Sequence, residues 1–169
     1  MIGEKNTYLS ESGDLLEKMM GSFLARVLHL ENLMSYIMTQ HFCSDDAERS
    51  ALFLSSTISD MSFRNRINVF INMLRIYYDD IYKFYETDLR RIYELDQYRN
   101  DLVKLVISNF EKVINGKDTD IVQSLMSKNG KTTMEKATKK EHETKSQLCI
   151  KLAAILNHIQ REIILNKLS

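Results

Sequence analysis

A chain of 169 residues is long enough for one domain whose core needs neither disulfides nor a metal. Its 23 Lys plus Arg balance 23 Asp plus Glu, so no net charge draws it towards nucleic acid or a membrane surface. Cys43 and Cys149 stand far apart and outside any CxxC pair, residues 1–12 hold no apolar run of leader length, and no apolar stretch spans a bilayer, so the expectation is a soluble cytoplasmic protein with reduced thiols and no membrane partner.

Proline is absent while Leu, Ile, Met, Lys and Glu are plentiful, which predicts a mainly α fold. The expected architecture is an antiparallel bundle of about five helices, one domain over residues 1–169 with a flexible N-terminus at 1–12. A first helix is predicted over residues 13–41, with Leu16, Met20, Phe23, Val27, Leu30, Met34, Ile37 and Met38 on one stripe. At about 1.5 Å per residue it would be roughly 40 Å long.

Ser44-Asp45-Asp46 offers N-cap chemistry, and Ala47, Ala51, Leu54 and Ile58 make a shorter second helix. Ser62 caps a third, whose face is Phe63, Ile67, Phe70, Ile71 and Leu74. It leads into Tyr77, Tyr78, Tyr82, Phe84 and Tyr85, an aromatic cluster that reads as closing one end of the bundle with its hydroxyls outward. A fourth helix runs from Thr87-Asp88 to Asn115-Gly116, where glycine suits the left-handed position after a helix end. Its apolar positions are Ile92, Leu95, Leu102, Val103, Val106, Phe110 and Val113.

Residues 117–137 break the helical pattern, and Asn129-Gly130 between apolar runs at 121–126 and 131–134 predicts a small β-hairpin insert. Thr138 and Glu141 then form a capping box for a C-terminal helix striped by Leu148, Leu152, Ile155, Leu156, Ile159 and Ile163. Charge drifts along the chain. Residues 1–60 carry four basic and nine acidic side chains, and residues 111–169 carry eleven and seven, so a polyanion would find its better sites in the middle and C-terminal segments.

Several chemistries are excluded by spacing. Gly130-Lys131-Thr132 resembles the end of a phosphate-binding loop, but Leu125 stands where that loop needs its first glycine. His29, His41, His142 and His158 lack the Glu-x-x-His spacing of carboxylate-bridged metal bundles, and His41 with Cys43 supplies only two ligands. No metal or cofactor is expected. Arg64, Arg66, Arg75, Arg90 and Arg91 read as solvated faces paired with Asp79, Asp80, Glu86, Asp88 and Glu94.

Arg99 is the exception. It falls inside the apolar stripe of the fourth helix, beside a polar column of Asp96, Asn100 and Lys104. A guanidinium there needs a partner, because an unpaired buried charge is costly. One reading is a salt bridge to Asp96 or to an acid of the first helix such as Glu31. The other is a site in which the planar arginine fork holds a phosphate or carboxylate, with Asn100 and Lys104 beside it.

Leu30-Glu31-Asn32-Leu33 in a long first helix, Met61-Ser62-Phe63-Arg64-Asn65-Arg66-Ile67 opening another, and Tyr93-Glu94-Leu95-Asp96-Gln97-Tyr98-Arg99-Asn100-Asp101-Leu102-Val103 together resemble prokaryotic HEPN-domain proteins, from about residue 15 to 113. The resemblance implies a helical fold and an R-x(4-6)-H motif. It further implies metal-independent endoribonuclease activity in toxin–antitoxin or defence systems, and a homodimer in which two motifs share one cleft. This chain departs from the motif: Lys104, Leu105 and Val106 stand where the histidine belongs. Imidazole moves protons near neutral pH, whereas an ordinary lysine, with pKa about 10.4, is a poor base there and suits phosphate charge better.

The resemblance therefore implies an RNA- or nucleotide-binding protein with a degenerate ribonuclease site formed by Arg99, Asn100 and Lys104, dimeric through the Arg99 helix. A non-catalytic module that binds a partner protein through the same face is the alternative reading. A third is an active nuclease in which Arg99 and Lys104 are catalytic, or a histidine of the second subunit substitutes.

Overall fold

A computed structural model describes the backbone of residues 3–44, 46–114 and 134–168, and the side-chain surroundings of residues 18, 20–44, 46–104 and 140–165. The described residues are mainly helical: α1 (Gly3–Cys43), α2 (Ala47–Phe53) passing into a π-helical turn (Leu54–Ile58), α3 (Phe63–Tyr77), α4 (Asp79–Arg90), α5 (Ile92–Ile114) and α6 (Met134–Leu168). No strand occurs among them.

The caps follow the local chemistry. The Asp46 carboxylate accepts the Arg49 amide at 2.9 Å and opens α2. The Ser62 hydroxyl accepts the Asn65 amide at 3.3 Å and opens α3. Such caps satisfy amides that have no partner inside their own helix. At the other end of α1, Ser44 takes φ 57°, the left-handed conformation that turns the chain towards α2.

Four boundaries differ from the sequence reading. α1 starts at Gly3, well ahead of residue 13, because nothing in residues 3–12 breaks a helix. The aromatic segment forms its own helix, α4, and a one-residue break at Arg91 separates it from α5. α6 starts at Met134, so Thr138 lies inside the helix and is no cap; Met134, Glu135, Lys136 and Ala137 are all good helix formers. The expected hairpin lies outside the described residues apart from this Met134 end, as do Asn115 and Gly116, although α5 ends beside them at Ile114.

The chain divides into two compact units, one drawn from Met1–Ala25 and Gln97–Gln147 and the other from Arg26–Asp96 and Leu148–Ser169. The core of the second contains Leu30, Met34, Ile37 and Met38 of α1, Ile67, Phe70 and Leu74 of α3, Leu89 of α4, Ile92 and Leu95 of α5, and Leu152, Leu156 and Ile159 of α6. These are the expected stripes of α1, α3, α5 and α6, each side chain removed from water for roughly 1.5–3 kcal/mol. In the first unit the described core is aromatic. The rings of Phe23 and Tyr98 meet edge-on with centroids 5.0 Å apart, and His142 packs on Phe23 at 5.7 Å.

Ser44 carries a Cβ in a conformation that glycine adopts without steric cost. Ser44→Gly is expected to raise unfolding stability by about 0.5–1 kcal/mol. A urea midpoint that falls would contradict this.

Candidate functional site

Asp96 is only 1% exposed and sits in the apolar face of α5. A carboxylate in that position needs donors. Arg64, in the first turn of α3, donates from Nε to Asp96 Oδ2 at 2.8 Å. Its guanidinium also lies over the Tyr93 ring at 5.7 Å, and the Tyr93 hydroxyl donates to Asn68 Oδ1 at 2.6 Å. Arg66, two residues on, donates from Nη1 to Glu31 Oε2 of α1 at 3.3 Å, while its Nε is buried without a hydrogen-bond partner.

Arg64 keeps an exposed side chain, as the sequence suggested, and still reaches into the core, whereas Arg66 is largely buried. They bind the two acids proposed there as partners for Arg99. The signal was present in Met61-Ser62-Phe63-Arg64-Asn65-Arg66: a serine cap places both arginines in the first turns of α3, with Phe63 and Ile67 fixing which way they face.

Arg99, Asn100 and Lys104 all lie on α5, in the unit that begins at Gln97. Arg99 and Asn100 are half-buried and Lys104 is exposed. Arg99 is engaged by its surroundings within the protein. The expected polar column is graded, since a step of four residues turns about 40° around a helix of 3.6 residues per turn: Asp96 is buried, Asn100 half-buried and Lys104 in water. Val103 is 44% exposed and leaves the buried stripe for the same reason, whereas Leu102 stays inside. Beside them, the Gln97 amide donates to both carboxylate oxygens of Asp101, at 3.1 and 3.2 Å.

Next to Arg99 in sequence, Tyr98 points inward. Its Oη lies 3.3 Å from His142 Nδ1, and both side chains are buried. Burial, and secondarily the negative charge of Glu141, push the Tyr98 hydroxyl up to about 12. In the other unit, burial opposed by the Arg26 charge pushes the Cys149 thiol up to about 11.

The tyrosines expected to cluster separate into groups. Tyr77 and Tyr78 pack on His41, the buried Tyr82 donates to Glu86 Oε1 at 2.9 Å, and Tyr85 meets Phe84 and His158. Among the described residues, no three His, Cys, Asp or Glu side chains are placed to share a metal ion. None of the described helices is long and apolar enough to cross a membrane. No protein-family model matches the chain, and no curated protein or solved structure does.

Removing the Arg64 head group leaves a carboxylate in the core with one donor fewer. Arg64→Met is expected to cost about 1–3 kcal/mol in urea unfolding, below the range of about 3–5 kcal/mol for a fully buried pair because the arginine is half exposed. Arg90→Met breaks an exposed pair with Glu86 one turn away on α4 and should shift the midpoint far less. Equal losses would show that Asp96 does not depend on Arg64.

The two raised acids give a second expectation. Each binds its proton more tightly folded than unfolded, so the stability this contributes is intact below the unfolded pKa. It is withdrawn as pH climbs from 9.0 towards 11 for Cys149 and from 10.0 towards 12 for Tyr98. Urea midpoints should fall between about pH 8 and about pH 10.5. Cys149→Ala, though less stable at every pH, should show a shallower fall; a midpoint rising with pH would refute the assignment.

Proposed function

We propose that the chain is a HEPN-like helical protein that binds RNA or a nucleotide through Arg99, Asn100 and Lys104 and does not cleave it. The supporting observation is the graded placement of these residues on α5. A half-buried guanidinium and amide stand at the edge of the core, and an exposed ammonium one turn on occupies the place of the missing histidine. A guanidinium fork and an amide suit a phosphate and the polar groups around it. Cutting RNA at a ribose 2′-hydroxyl needs a group that exchanges a proton near pH 7, and a lysine ammonium is poorly matched to that task. His142, in the same unit, is buried against Tyr98.

The wider reading is a homodimer that pairs the Arg99 faces and works in a toxin–antitoxin or defence system. Val103 favours a second reading of the same face, a protein–protein interface, because it presents an exposed apolar side chain between Asn100 and Lys104.

Fluorescence anisotropy with a mixed single-stranded RNA pool separates these readings. Binding should weaken with salt, and Arg99→Ala and Lys104→Glu should each lower affinity on the order of tenfold. Loss of one phosphate contact should reduce the salt slope by about 0.7. Lys104→His should gain cleavage in EDTA. If wild type and Arg99→Ala bind equally poorly, the RNA-binding reading fails and the protein-interface reading gains. If wild type cleaves and both Arg99→Ala and Lys104→Ala are inert, the site is an active nuclease.

A further inference from the structure

An apolar, aromatic surface lies at the junction of α1, α2 and the α3–α4 turn, all within the unit that begins at Arg26. Its rings are linked in series: Phe53 to Phe42 with centroids 5.7 Å apart, Phe42 to His41 at 4.7 Å, and His41 to Tyr77 at 4.5 Å. His41 is held in turn by the Tyr78 hydroxyl, 2.9 Å from its Nδ1. The rings are thus fixed before any partner arrives, which lowers the ordering cost of binding. Around them Ile76 is 71% exposed, Leu52 65% and Tyr77 58%. Exposed apolar side chains this large, clustered and braced from behind, mark interaction surfaces more often than chance exposure does.

The segments that carry these rings are acidic. Among the described residues of 36–60 and 75–83 stand five acids, Asp46, Glu48, Asp60, Asp79 and Asp80, against Arg49, Arg75 and Lys83. Asp79 and Lys83 pair with each other and Arg75 lies over the Tyr82 ring, which leaves four acids against two cations. That excess of acid disfavours phosphates, so nucleic acid and anionic lipid are poor occupants. Pairing the surface with itself across a two-fold axis would set acids against acids.

We propose that this surface docks a basic amphipathic segment of another protein, with aliphatic anchors on the rings and Lys or Arg on the acidic segments. The interaction is independent of the Arg99 site.

The probe is a fluorescein-labelled synthetic amphipathic helix of leucine and lysine, titrated with the full chain. Two control peptides accompany it, one with glutamate for lysine and one with serine for leucine. The leucine–lysine peptide should bind saturably and both controls should not. The double variant Ile76→Ser with Tyr77→Ser should weaken binding on the order of tenfold, Asp80→Lys several-fold, and Lys104→Ala not at all. Ile76→Ser alone keeps the test valid should the Tyr77 change disturb His41, since Ile76 is largely in water. Equal binding of the serine–lysine peptide would reduce the surface to non-specific charge and overturn the proposal. So would equal binding by wild type and Ile76→Ser. A dimer in sedimentation that Ile76→Ser disperses would also overturn it, by assigning the surface to a second copy of this chain.

Discussion

The placement of the first turn of α5 against α3 depends on one carboxylate. Asp96 lies in the core face of the helix between Leu95 and Tyr98, and its charge is tolerated there because Arg64 reaches it from the first turn of α3. Rotating α5 by one residue, about 100°, would expose Ile92 and Leu95 and tear the carboxylate from its donor. The pair therefore sets the rotational phase of the first turn of α5 more sharply than apolar burial alone, which is non-directional. The same requirement reaches back to Ser62, whose hydroxyl starts α3 where Arg64 and Arg66 meet Asp96 and Glu31.

From Gln97 onward α5 belongs to the other unit and has its own surroundings. There Leu102 is buried, Arg99 and Asn100 are half-buried, and Val103 and Lys104 are in water. A guanidinium on a boundary keeps its stem on apolar surface and its head within reach of polar groups. Such a position suits a group that must be held rigidly and still meet a ligand. On the far side of the same turn, Tyr98 closes on Phe23 and His142, so the residue before the arginine is an aromatic anchor.

The apolar stripes were legible because helical burial repeats every three to four residues whatever lies opposite: those of α3 and α6 are buried as read, and that of α1 is buried from Phe23 to Met38. The Asp46 and Ser62 caps were legible for a similar reason, since capping is local chemistry. The break at Arg91 was not, because neither glycine nor proline marks it. Nor was the burial of Asp96. Helical spacing places an acid beside a stripe but does not say how wide the stripe is, and the answer depends on an arginine 32 residues away. The partners of Arg64 and Arg66 were hidden for the same reason: they belong to other helices.

The electrostatics of the Arg99 site limit how it could hold a phosphate. The chain has no net charge, so no long-range field gathers polyanions, and Asp101 lies one turn before Lys104 on neighbouring positions of the helix. Gln97 takes up both oxygens of Asp101, which fixes that carboxylate without removing its charge. The ammonium of Lys104 is thus partly offset where it stands, and affinity has to come from short-range, geometry-dependent bonds. Arginine and asparagine supply such bonds, and a bare lysine does not. A site of this kind would favour a ligand whose phosphate is presented in a fixed orientation, as in a nucleotide or a structured RNA, over a flexible polyanion recognised by charge alone.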